Sequence, residues 1–170
     1  MSTKIRRFLA KRQPETPCLV VDLDVVRQNY EALNKALPLA TIYYAMKANP
    51  APEILRLLVG LGSSFDTASI YEIEQVLAAG APAERISFGN TIKKQTDIAR
   101  AFSCGVRLYA FDSEAELDKL AAVAPGSRVF CRIVMRGAGA DWPIGRKFGC
   151  GVGMARALLV RAQGTGLGPS

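Results

Sequence analysis

The sequence predicts an α/β protein, an incomplete (β/α)8 barrel of the TIM type comprising about the first five βα units, and three observations lead to that class. From Thr41 onward, apolar runs of strand length alternate with stretches of helical periodicity, separated by short loops. That rhythm belongs to a parallel sheet with crossover helices. The turn after the opening strand reads Lys47-Ala-Asn-Pro50. A dinucleotide-binding open sheet calls for Gly-x-Gly-x-x-Gly at that point, so the barrel is preferred over the doubly wound alternative. Finally, the chain has 170 residues, whereas a complete barrel takes about 250.

Each element has its own signal. Pro17 to Val21 reads as a short strand closed by Asp22-Leu-Asp24, whose carboxylates suit a helix N-cap. Val26, Tyr30, Leu33 and Leu37 fall at helical spacing until Pro38 stops the helix. Thr41 to Met46, β-branched, aromatic or apolar, predicts a buried strand. Asn49-Pro50 and Pro52 break it and open a helix marked by Ile54, Leu57, Leu58 and Leu61, which Gly60 and Gly62 end. Ser63 to Asp66 is the next strand, and Ser69-Ile-Tyr-Glu72 is a capping box for a helix ending at Gly80. Arg85 to Phe88 forms a strand, and Gly89-Asn90-Thr91 turns into a helix reaching about Phe102. Arg107 to Phe111 follows, and Ser113-Glu-Ala-Glu116 is a second capping box for a helix ending at Pro125-Gly126. Arg128 to Val134 is the fifth strand, expected to leave an open apolar edge that favours aggregation. A Gly-rich loop and a helical segment from about Met154 to Gln163 complete the chain. The division is 1–40, a strand and helix leading in; 41–150, the partial barrel; and 151–170, a Gly-rich tail.

Composition narrows the function. At 49% hydrophobic and 22% charged the chain is ordinary globular material. No apolar run approaches the roughly 20 residues of a membrane span. Lys4, Arg6, Arg7, Lys11 and Arg12 crowd the start without an acid or a long apolar segment, which reads as cytoplasmic rather than secretory. Cys18, Cys104, Cys131 and Cys150 are scattered and histidine is absent, so no zinc site is expected and the thiols are expected reduced and mostly buried. Without histidine, the usual base of Ser and Cys hydrolases is missing. The net charge of +7 comes with no basic-aromatic stripe, which argues against nucleic acid and suits an anionic small ligand such as a phosphate-bearing cofactor.

In a barrel, chemistry gathers at strand C-termini. Those positions hold Lys47, Asp66, Asn90, Asp112 and Arg132. Along a strand Tyr43, Ala45 and Lys47 share one face. A lysine partly desolvated there has a lowered pKa and can form a Schiff base, although a strand-end lysine also snorkels to water. Asp66 and Asp112 read equally well as turn or cap residues, and Glu72 as the partner in its capping box. Arg132, between Cys131 and Ile133, is expected to face inward, buried and in need of a partner. Together, a lysine, a carboxylate and a guanidinium at one mouth suit Schiff-base cofactor chemistry.

Tyr44-Ala-Met-Lys-Ala-Asn49, Ser64-Phe-Asp-Thr-Ala-Ser69, Ile86-Ser-Phe-Gly-Asn90 with Lys93, Phe111-Asp-Ser-Glu-Ala-Glu-Leu117, Arg132 and Arg146-Lys-Phe-Gly149 occur in that order. They resemble the pyridoxal-phosphate-dependent ornithine/lysine/diaminopimelate decarboxylases of fold type III, built on an alanine-racemase-like barrel. The resemblance spans roughly Pro14 to Cys150. Phe65-Asp-Thr-Ala-Ser69 and Gly139-Ala-Asp-Trp-Pro143 look most like the bacterial ornithine type, and less like a diaminopimelate decarboxylase or a racemase.

The resemblance implies that Lys47 holds pyridoxal 5'-phosphate as a Schiff base, with Asp66 beside it and Arg132 against the ring. It implies a small basic amino acid, ornithine or lysine, as substrate, a diamine as product and a homodimer as the working form, with neither nucleic acid nor membrane as partner. It fades after Cys150. The ring-stacking histidine, the Gly-rich phosphate cradle, the carboxylate that pairs with the pyridine nitrogen and the C-terminal β-domain of the family have no counterpart in the sequence. The chain is therefore expected to be a fragment, inactive alone, or a non-catalytic remnant that binds intact subunits.

Overall fold

The computed structural model describes residues 1–135 and 148–170. Six short strands form one sheet: β1 (Tyr43–Ala45), β2 (Ser64–Thr67), β3 (Ile86–Phe88), β4 (Leu108–Phe111), β5 (Arg128–Cys131) and β6 (Gly168–Pro169). They lie in chain order and every neighbouring pair is parallel. Two leading helices, α1 (Thr3–Arg12) and α2 (Leu23–Ala36), precede the sheet. The crossovers carry α3 (Pro52–Gly60), α4 (Ile70–Ala78), α5 (Gln95–Ser103), α6 (Glu114–Val123) and α7 (Val152–Gly164). Strand order never reverses, which is barrel winding rather than the doubly wound alternative. The result is five βα units and the start of a sixth.

Alternation along the strands sorts the side chains between two faces. Phe65, Ile86, Phe88, Tyr109, Phe111 and Val129 are each no more than 1% exposed. They pack in one cluster with Leu55 and Leu58 of α3, Ile73 and Val76 of α4, Ile98 of α5, Leu117 and Leu120 of α6, and Leu158 of α7. Burying one such side chain contributes about 1.5–3 kcal/mol, so this face holds the layers together. The register pairs Ala45 with Asp66, Asp66 with Ser87, and Ser87 with Leu108. That row belongs to the opposite face, which the helices leave uncovered.

Local chemistry sets the element ends. Asn49 accepts from the Ala51 amide at 3.0 Å, and Pro52 opens α3 at a position that needs no N–H. Ser69 and Ser113 cap α4 and α6 by accepting from the Glu72 and Glu116 amides. The reciprocal half of each expected capping box is absent. Glu72 reaches past the cap to the Ala68 amide at 2.7 Å, and Glu116 turns into the protein. Gly62 and Gly80 take φ of 86° and 95° after α3 and α4, a region unfavourable to side chains.

Several expectations are corrected. Residues 17–21 form no strand; with no neighbouring strand to pair them among the described residues, they run as an open segment in which Leu19 is 82% exposed. The basic start is a helix, capped by Ser2. One of its five cations is anchored, since Lys4 lies 3.5 Å from Asp22 and 2.5 Å from Asp24, and Ser2 donates to Asp22 at 2.8 Å. The Ser2 hydrogen bond holds the Asp22 carboxyl below its usual range. α5 begins at Gln95, not at Gly89, because residues 89–94 make a loop held by Lys93. The fifth strand ends at Cys131, and it is not a free edge, because Arg128 and Val129 pair with Gly168 and Pro169 of β6.

The side chains of Lys93 and Glu116 are 0% and 3% exposed, and they lie 2.9 Å apart. The Lys93 ammonium also donates to the Asn90 carbonyl at 2.7 Å and the Ala110 carbonyl at 2.6 Å, and it sits 5.5 Å from the Phe88 ring centre. Glu116 has a second cation in Lys119 at 2.5 Å. Burial pulls the Lys93 pKa below the ordinary lysine value against the opposing pull of Glu116. One ammonium thereby ties the loop after β3 to the end of β4 and to α6. Removing one member of a buried pair costs about 3–5 kcal/mol; here Lys119 still partners Glu116, while the Asn90 and Ala110 carbonyls lose their donor. Lys93→Met is expected to lower stability by about that much, read from urea unfolding; an unchanged midpoint would show that the clamp contributes nothing.

Candidate active site

The β1 strand gives way at once to a 3-10 turn over Met46–Ala48. Met46 plunges into the core at 1% exposure, and Lys47 emerges on the other side, exposed. The Tyr44 hydroxyl donates to the Asn49 carbonyl at 3.0 Å and so holds the turn closed. The partial desolvation expected for Lys47 is not present. The face it joins is open, so its ammonium stands in solvent at the rim of a cleft.

Lys47, Asp66 and Arg132 all line one cavity of about 650 Å3, together with Tyr43, Ser87, Gly89 and Phe130. A smaller hollow of about 360 Å3 shares those three residues and adds Glu72, Asn90 and Phe148. The larger volume is within the roughly 300–1,000 Å3 typical of cofactor and small-molecule sites. Asp66 is a strand residue and not a cap, since α4 is capped by Ser69. Its Oδ1 accepts from the Ser87 hydroxyl at 2.7 Å across the β2–β3 pairing. Gly89 makes room for that carboxylate. A Cβ there would overlap Asp66 Oδ1 and come within 2.7 Å of its Cγ.

Arg132 departs from expectation most. It is exposed, not buried, because it follows the last residue of β5 and faces the uncovered side of the sheet, where water solvates its charge. Its guanidinium lies 4.7 Å from the Phe148 ring centre, within range of a cation–π contact. Asp112 is not a cap either; Ser113 does that, and Asp112 accepts from the Gly149 amide at 2.8 Å. Asn90 lines the smaller hollow and offers its carbonyl to Lys93. The motif residues Gly139 to Pro143, Arg146 and Lys147 lie outside the described residues.

The cysteines also differ from expectation. Only Cys150 is buried; Cys18 is exposed, and Cys104 and Cys131 are intermediate. The Cys131 and Cys150 sulfurs are 3.5 Å apart. Burial, with Cys150 and Asp112 close by, pushes the Cys131 thiol up to about 12.

Ser87, Gly89 and Phe148 were not singled out from the sequence as site residues. Ser87 had a readable signal, a lone hydroxyl between Ile86 and Phe88, where alternation points it away from the apolar face. Gly89 and Phe148 had none outside the motif in which each stands, because their roles arise from neighbours distant in sequence.

A parallel β/α barrel segment with a lysine, a carboxylate and a guanidinium on one cleft is the form of a Schiff-base cofactor domain, and comparison with known proteins places it. Residues 23–168 match the pyridoxal binding domain of the pyridoxal-dependent decarboxylases, and the chain belongs to that family. It is 43% identical over 167 residues to the lysine/ornithine decarboxylase of Selenomonas ruminantium, covering 98% of this chain and 42% of that protein. The crystal structure of lysine decarboxylase from Selenomonas ruminantium superposes with a TM-score of 0.87 at 42% identity, over 99% of this chain and 45% of that one. Lysine/ornithine decarboxylase from Vibrio vulnificus, solved with putrescine, gives a TM-score of 0.84 at 31% identity, over 99% of this chain and 45% of that one. The chain thus spans less than half the length of these relatives. None of the described helices is long and apolar enough to cross a membrane.

The Asp66–Ser87–Gly89 arrangement yields a direct test. Gly89→Ala is expected to push the carboxylate off Ser87 and lower stability by about 1 kcal/mol, the worth of one hydrogen bond. In an Asp66→Ala background the same change should be close to neutral. Equal losses in both backgrounds would place the strain elsewhere.

Proposed function

We propose that this domain holds pyridoxal 5'-phosphate on Lys47 and belongs to a decarboxylase of ornithine, or a similar basic amino acid such as lysine. The products would be carbon dioxide and a diamine, as in polyamine biosynthesis. The observation that carries the reading is the convergence of Lys47, Asp66 and Arg132 on one cleft of about 650 Å3. The similarity to proteins named as lysine/ornithine decarboxylases supports the substrate class.

The residues present fit the cofactor. Lys47 offers an unburied primary amine on a short turn, accessible to an aldehyde. When bound, the cofactor supplies the electron sink that loss of a carboxylate requires. Lys47 would hold it through its side-chain amine, which at the rim of the cleft could also give or take a proton. Asp66, fixed by Ser87, presents an oriented carboxylate to the cleft that Lys47 also lines. Arg132 covers one side of the cleft with a planar cation that can lie against a ring or meet an anion. The net charge of +7 favours approach of an anionic cofactor over long range. In this reading the working assembly is a cytoplasmic homodimer, and neither nucleic acid nor membrane is a partner.

Borohydride reduction of the purified chain with pyridoxal phosphate, followed by peptide mass mapping, tests the site. The stable adduct is expected to concentrate on Lys47 and to vanish in Lys47→Arg. Labelling spread evenly over surface lysines would contradict the assignment. A separate expectation concerns turnover. Because β1 and β6 have no further strand beside them among the described residues, the cleft is open at both sides. The 170-residue chain alone should therefore release no measurable carbon dioxide from ornithine or lysine, and measurable release would overturn that part of the reading.

A further inference from the structure

Cys131 ends β5 and Cys150 lies just before α7, 19 residues apart in sequence, and their sulfurs are 3.5 Å from each other. The backbone builds this closeness. Ile133 and Cys150 form a parallel bridge, the Cys150 amide donates to the Arg132 carbonyl at 3.0 Å, and the Val134 amide donates to the Cys150 carbonyl at 2.9 Å. Gly149, at φ of 89°, is held by Asp112, and a Cβ on it would come within 2.8 Å of the Ile133 carbonyl carbon. Both cysteines are thus seated on paired backbone, and only a closing movement of about 1.5 Å separates the two sulfurs from the bond length of about 2.05 Å. Cys18 is exposed on the segment before α2, and Cys104 lies at the end of α5, so neither is part of this pair.

We propose that Cys131 and Cys150 are a reversible modification site, a dithiol that an external disulfide such as oxidised glutathione converts to an intrachain disulfide. The more accessible sulfur, Cys131, attacks one sulfur of the oxidant as a thiolate and releases the first thiolate of the oxidant. Cys150, as a thiolate, then attacks Cys131 and releases the second. One S–S bond forms in the protein and one breaks in the oxidant. Two electrons pass to the oxidant, and the two protons lost by the cysteines are taken up by its two thiolates. In a reducing compartment the dithiol form persists, and the bond forms only under oxidative load. Arg132 directly follows Cys131, so the bond tethers the backbone from which that cleft residue projects to the start of α7. The site does not depend on the functional reading above.

The test uses the full chain, incubated with oxidised glutathione at mildly alkaline pH to offset the weak acidity of a half-buried thiol, and digested with trypsin without reduction. The expected product is Val129–Arg132 linked to Phe148–Arg156, lighter by two hydrogens than the separate peptides. Thiols titrated after unfolding should fall from four to two, and a dithiol reductant should restore them. The Cys18→Ser/Cys104→Ser variant, which leaves the pair intact, should give the same linked peptide. Stable glutathione adducts on Cys131, links that involve Cys18 or Cys104, or Cys131 and Cys150 both recovered as free thiols would each overturn the proposal.

Discussion

The alternation of side chains across the parallel register organises this molecule. Phe65, Ile86, Tyr109 and Val129 can reach the helix layer only if Asp66, Ser87 and Leu108 turn the other way. A slip of one residue in any strand would drive an aspartate or serine under the helices and an aromatic ring into the cleft. Apolar burial therefore pins the register, and the register in turn brings Lys47, Asp66 and Arg132 to a common surface. The site geometry is a by-product of the packing on the far side of the sheet.

Where packing stops, polar clamps continue. The cleft rim is made of loops, which bury little apolar surface and need other restraints. Lys93 satisfies the carbonyls of Asn90 and Ala110 and compensates Glu116, all away from water. Asp112 holds Gly149, and Ser87 holds Asp66. These contacts cross between successive βα units, so each loop is fixed by its neighbour. The same logic brings the backbone after Gly149 beside the end of β5 and places two thiols face to face.

The cleft is built from an exposed lysine, an oriented carboxylate and an exposed arginine stacked near Phe148. That combination suits a site in which the bound cofactor supplies the electronics while the protein supplies attachment and orientation. Membership of the pyridoxal-dependent decarboxylases agrees with it. The chain spans less than half the length of the matched relatives.

Much was legible without coordinates. The five βα units, the serine caps, Pro52 at a helix start and the placement of Lys47 just after the first strand follow from local signals: periodicity, turn residues and the steric limits of proline and glycine. The buried strand expected over Thr41 to Met46 is not found, since β1 covers only Tyr43–Ala45 at the sheet's end with no buried residue. Asp66 and Arg132 could be proposed for one cleft because strand C-termini are where a barrel presents its chemistry, and both line the cavity that Lys47 lines. Their surroundings could not. Whether Arg132 is buried depends on what stands across the sheet, and whether Glu116 completes a capping box or turns inward depends on Lys93, 23 positions away. Residues 17–21 have strand composition but no partner among the described residues, and composition cannot supply one. By itself the sequence determined the five βα units and which residues along each strand share a face, since both are set by neighbours along the chain. Tertiary structure alone decided burial, ion pairing and the meeting of Cys131 with Cys150, because those depend on groups that only the folded register brings into contact.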